Sequence, residues 1–148
     1  MVAAIAEINA ADWGQHEILG HATVNVGVVR GGEKPNVIAA SAECEMIFRT
    51  VGDIEHVRER LETLVAEHGG TITMSRGNAP QFMVVPKGKP STVVAFNSDV
   101  PHLGALGKPL LFGPGSILDA HGPNERIAKS ELFAAIDVYR DTVVNLLK

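Results

Sequence analysis

The sequence predicts an α+β protein built in two unlike parts: a two-layer unit with helices on one face of an antiparallel sheet over residues 1–80, then a piece of α/β character over residues 81–148. Three observations predict it. In the first part, segments with helical apolar spacing interleave with segments that alternate apolar and polar residues. Pro80, Pro86, Gly88 and Pro90 then fall close together, which is linker chemistry. Beyond them the apolar residues gather in short continuous runs, the pattern of strands covered on both faces.

Residues 2–11 are rich in helix formers and place Ile5 and Ile8 at helical spacing. The run sits directly against Met1 with no capping residue ahead of it, as the end of a helix begun upstream would. His21 to Val29 alternates β-branched residues (Thr23, Val24, Val26, Val28) with small or polar ones, as a half-buried strand should. Gly31 and Gly32 make a turn, and Asn36 to Thr50 reads as the antiparallel return strand of a hairpin, with Cys44 as a small buried residue within it. Asp53 is a good N-cap for a helix whose Ile54, Val57, Leu61, Leu64 and Val65 share one face and which Gly69-Gly70 ends. Thr71 to Arg76 alternates again and gives a third strand. Such a sheet leaves an edge open, where a second copy can pair.

Thr92–Phe96 and Pro109–Phe112 read as strands of a parallel sheet, and Glu131 to Leu147 as a last amphipathic helix with Leu132, Ile136, Tyr139, Val143 and Leu147 turned inward. Two strands and one helix cannot cover both faces of such a sheet. The second part therefore reads as a piece of something larger.

Charge excludes some functions. Thirteen Lys and Arg residues against 17 Asp and Glu give a net charge of -4, and the basic residues are scattered, so no nucleic-acid surface is expected. No run approaches the roughly 18 apolar residues of a membrane span, and the start lacks the cationic head of a signal peptide. The cytoplasm is the expected location, in keeping with a single cysteine that cannot form an internal disulfide.

The densest constellation of reactive side chains runs from Gly113 to Glu125, directly after an apolar run. The carboxyl end of such a strand is where α/β sheets bind ligands. An imidazole there can bind zinc, with a carboxylate fixing its tautomer, so His121 is a candidate ligand with Glu125 or Asp119 in support. On residue chemistry alone, His121 reads more readily as an ordinary surface-loop histidine. His16 and His21 form a further candidate pair, His102 follows a polar strand-end loop, and His56 and His68 are expected in solvent on the helix. Arg49 ends an otherwise apolar strand; its guanidinium suits capture of a carboxylate, or simply stands at a strand tip in water.

Taken in order, these parts resemble the C-terminal half of the di-zinc deacylases and peptidases, a family that includes acetylornithine deacetylase, succinyl-diaminopimelate desuccinylase and aminoacylases. The ordered series is Thr23 to Gly27, Gly31-Gly32, Pro35 to Ile38, Phe48-Arg49, Ser98-Asp99, Gly113 to Ile117, then Ala120-His121 and Glu125. The resemblance implies that residues 1–80 are most of a lid domain that forms a homodimer, and that residues 81–148 return into the catalytic domain. It implies that His121 is the last zinc ligand, that Arg49 and Asn36 hold the substrate's carboxylate or the developing oxyanion, and that Ser98 lies in a substrate-side loop. An N-acyl amino acid or peptide is the implied substrate.

The departures are as informative. The family's other zinc ligands and its general base lie N-terminal to the lid and have no counterpart here, nor does the lid histidine that reaches a neighbouring subunit's site. Zinc hydrolysis needs several protein ligands, an open position for water and a base. The chain by itself is expected to be inactive, as part of a larger amide hydrolase or, alternatively, as a dimerisation or binding module that keeps the lid fold.

Overall fold

A computed structural model describes residues 1–147, which divide into two compact units. The first holds Met1–Gln81 with Val93–Pro101, and the second holds Phe82–Thr92 with the chain from His102 onward.

In the first unit, α1 (Val2–Ala10) and α2 (Ile54–Glu67) pack beside an antiparallel hairpin of β3 (Thr23–Gly31) and β4 (Ala42–Arg49). A smaller hairpin, β1 (Gln15–His16) with β2 (Gly20–His21), leads into β3. Alternation decides which residues of the larger hairpin turn inward. Val24 stands opposite Phe48 and Val26 opposite Met46, and Val24, Phe48 and Met46 pack against a core of Ala4, Ile8, Trp13, Val57 and Leu64. Between Val26 and Val28 the register slips by one residue, so Gly27 is a β-bulge. Beyond it Arg30 faces Glu43, and its guanidinium reaches Glu43 at 3.1 Å and Glu45 at 2.8 Å in solvent.

Trp13 joins the layers. Its indole N–H donates to the Ile8 carbonyl at 2.8 Å, so its burial leaves no polar group unpaired. Its ring meets Phe48 edge-to-face at 5.0 Å, and Arg60 of α2 lies over it at 4.8 Å while donating to the Asp12 carbonyl. Asp53 caps α2 as expected, accepting the Glu55 N–H at 2.9 Å. The far end closes as a Schellman motif: Gly70 donates to Val65 and Gly69 to Ala66, each at 2.9 Å, with Gly69 left-handed at φ 71°. His68 differs from expectation. It is the C-cap of α2, and its ring hydrogen-bonds Glu7 of α1 at 2.8 Å instead of standing free in water.

Three expectations are corrected. The return strand starts at Ala42, not at Asn36, because Lys34 to Val37 form a turn and Ile38 stays 95% exposed. Residues 71–76, 92–96 and 109–112 form no strand. A strand exists only as a ladder of hydrogen bonds to a neighbour, and no such ladder runs along these segments. The parallel sheet expected in the second part is therefore absent from the described residues.

The second unit is held together sparsely. Its helix α3 (Lys129–Leu146) buries Ala135, whereas Ile136, Val143 and Leu147, expected inward, are exposed. Tyr139 anchors the helix: its hydroxyl donates to the Phe112 carbonyl at 3.0 Å and its ring meets Phe112 edge-to-face at 5.0 Å. Val84 donates to the Pro109 carbonyl at 2.8 Å, a contact between two extended segments. Among the described residues no helix is long and apolar enough to cross a membrane.

Candidate functional site

The loop from Gly113 to Glu125 lies in the second unit and is shaped by local hydrogen bonds. Ser116 caps a short 3-10 turn, Ile117–Asp119, by accepting the Leu118 N–H at 3.2 Å. Gly115 has φ 87° and packs near Ile127, so a side chain there would be strained. His121 has φ 61°, the left-handed region that non-glycine residues seldom enter. Its backbone N–H donates to the Glu125 carboxylate at 2.9 Å, and the Glu125 N–H donates to the Gly122 carbonyl at 3.1 Å.

Neither nearby carboxylate meets the imidazole itself. Glu125 holds the main chain of His121 and not its ring, and Asp119 pairs with Arg126 at 3.5 Å. The imidazole is exposed and makes no hydrogen bond among the described residues. The sequence carried a faint signal for this backbone, since histidine is among the residues enriched in left-handed conformations and Gly122-Pro123 follows directly.

Arg49, Asn36 and Ser98 belong to the first unit. Arg49 ends β4 opposite Thr23, exposed and with no anionic partner among the described residues. Asn36 is exposed in the turn between the strands, where Val37 donates to the Lys34 carbonyl at 3.2 Å. Because β4 has 8 residues, its two ends stand roughly 23 Å apart, and Arg49 lies at the end away from the turn. Ser98 is half-buried, its hydroxyl accepting the Val100 N–H at 3.4 Å at the start of a 3-10 turn. A shallow groove between α1 and α2, lined by Glu7, Ala11, Arg60 and Leu64, contains none of these residues.

Among the described residues no three His, Cys, Asp or Glu side chains gather where they could hold a metal ion. His16 is turned to its own hairpin, where its Nδ1 accepts the Ile18 N–H at 3.1 Å and the Leu19 N–H at 3.3 Å. Among the described residues His121 offers a free imidazole that belongs to no group of three such side chains.

Residues 1–73 match the family model of the M20 peptidase dimerisation domain. A peptidase M20 domain-containing protein of Schizosaccharomyces pombe is 36% identical over 140 residues, covering 93% of this chain and 35% of that protein. One from Sordaria macrospora is 32% identical over 99% of this chain and 34% of its own length. A protein of Aspergillus clavatus named as a probable carboxypeptidase is 31% identical over 84% of this chain and 31% of its own length. No solved structure matches. The chain spans about a third of the length of these curated relatives, and the likeness continues well past residue 73. The ordered resemblance read from the sequence is thereby borne out: the chain belongs to the M20 peptidase family and contains its dimerisation domain.

Proposed function

We propose that this chain is the dimerisation lid and the C-terminal catalytic-domain segment of a zinc-dependent amide hydrolase, a peptidase or deacylase acting on N-acyl amino acids or peptides. The observation that carries the reading is the likeness to M20 peptidase relatives over 93% of the chain, beyond the dimerisation domain itself. Residues 1–80 are the lid and pair with a second copy through the open edge of the β3–β4 hairpin. Residues 81–148 return into the catalytic domain, which supports a ready explanation of their exposed apolar side chains: the covering layers belong to the rest of the protein. The single cysteine is in keeping with work in the cytoplasm.

In this reading Arg49 binds the substrate's carboxylate. Its exposed guanidinium has no competing anion among the described residues, and a planar fork of donors matches a carboxylate in two parallel hydrogen bonds. Asn36 and Ser98 supply polar contacts to substrate, and His121 supplies one zinc ligand. The remaining ligands and the general base lie outside this chain, so the chain by itself is inactive.

Zinc content and hydrolysis of an acetylated amino acid and of a short peptide, measured for this chain and for a polypeptide extended upstream to the relatives' length, test the reading. Zinc and turnover confined to the longer polypeptide are the expected result. Neither in the longer polypeptide would leave a dimerisation module without catalysis; both in the short chain would overturn the assignment of the missing ligands.

A further inference from the structure

We propose that Glu125 is a positioning residue, whose carboxylate holds His121 in the left-handed backbone conformation from which the imidazole faces its ligand. The inference rests on the reading of His121 as a metal ligand and adds the group that aims it. Among the described residues His121 is the single non-glycine residue with positive φ, at 61°. That conformation brings Cβ close to the backbone, and the enrichment of histidine there is too small to hold it unaided, so a further contact is needed.

Glu125 provides that contact from two sides. Its side-chain oxygen accepts the His121 N–H at 2.9 Å, and its own N–H donates to the Gly122 carbonyl at 3.1 Å. The first bond is charge-assisted and the second closes the turn, so the peptide group between His121 and Gly122 is flanked by Glu125 bonds. Asp119, the other nearby carboxylate, is committed to Arg126 at 3.5 Å. The imidazole itself is exposed and unbonded among the described residues, which leaves both ring nitrogens to a ligand. Glu125 therefore acts on the direction of the Cα–Cβ bond, whereas the usual supporting carboxylate acts on the ring tautomer. If φ returned to its ordinary negative range, Cβ would swing about the N–Cα axis and carry the ring away.

Amide exchange and the three-bond HN–Hα coupling of His121, measured by NMR on the 15N-labelled chain, test the proposal with the variants Glu125→Ala, Glu125→Gln and Asp119→Asn. In Glu125→Ala the His121 amide proton moves upfield, exchanges about tenfold faster, and the coupling loses its positive-φ value, while the resonances of α3 stay in place. Glu125→Gln, which keeps an acceptor oxygen, restores the coupling with intermediate exchange. Asp119→Asn matches the unaltered chain. An unchanged His121 amide in Glu125→Ala overturns the proposal, as does an Asp119→Asn variant that reproduces the change.

Zinc retention in the upstream-extended polypeptide separates this inference from the functional reading. Absence of zinc even without substitution sinks the functional reading, and the amide data still decide what Glu125 does. Zinc held as tightly with Glu125→Ala as without it, despite an altered coupling, overturns the positioning role.

Discussion

The first unit leaves Ile8 1% exposed and Trp13 and Leu64 7%, whereas the second leaves Ile136 58%, Val143 55% and Leu147 82% exposed and buries Ala135 alone among its described residues. Both units contain an amphipathic helix, so helix formation is not what separates them. The first unit finds its partners close by in sequence: α1 lies next to the hairpin, and the hairpin next to α2. The second carries Pro109–Phe112, a segment with the composition of a buried parallel strand, and such strands need a paired neighbour and cover on both faces. A core is complete where a chain encodes both sides of each contact, and α3 encodes one.

Breaking the first unit should have the largest effect. Trp13→Ala removes the ring that meets Phe48 and Arg60 and is expected to cost about 3–5 kcal/mol in urea unfolding, with loss of the hairpin signals by NMR. A cost under about 1 kcal/mol would mean that the core is not organised around it. Removing the α2 cap with Asp53→Ala should cost about 1 kcal/mol, since the Glu55 N–H then has only water as partner. The smallest effect sharpens the contrast: Ile136→Ser in this chain should change stability by less than about 0.5 kcal/mol, the range of a surface substitution. In the upstream-extended polypeptide the same substitution should cost about 2 kcal/mol or more, because the side chain would then be covered. Equal effects in the two lengths would show that α3 is a solvent-facing helix in the whole protein.

Much of the first unit was legible from residue chemistry. The spacing of Val57, Leu61 and Leu64, the cap at Asp53 and the stop at Gly69-Gly70 all describe contacts that close within a few residues. Val37 and Ile38 misled because apolar content suggested a strand, while Gly32, at φ 76°, and the turn at Lys34 place them in the connection. The three missing strands show a different limit. Apolar runs such as Thr92–Phe96 state what kind of cover a segment wants, and they carry no information on whether the cover lies in the same chain. At the candidate loop, His121 and Glu125 could be picked out by residue type, but the choice of main chain over imidazole as the carboxylate's target depends on φ at one residue. No pattern of spacing encodes that angle.

The bulge at Gly27 also gives the hairpin a direction of growth. An incoming strand reads a row of evenly spaced N–H and C=O groups, and the extra residue breaks that row on the outer side of β3 while β4 stays regular from Ala42 to Arg49. Near the turn, Arg30 on β3 and Glu43 and Glu45 on β4 add charge that discourages casual stacking. The hairpin is thus asymmetric as a template: β4 presents the regular edge, and the regular spacing of β3 is interrupted at a single glycine.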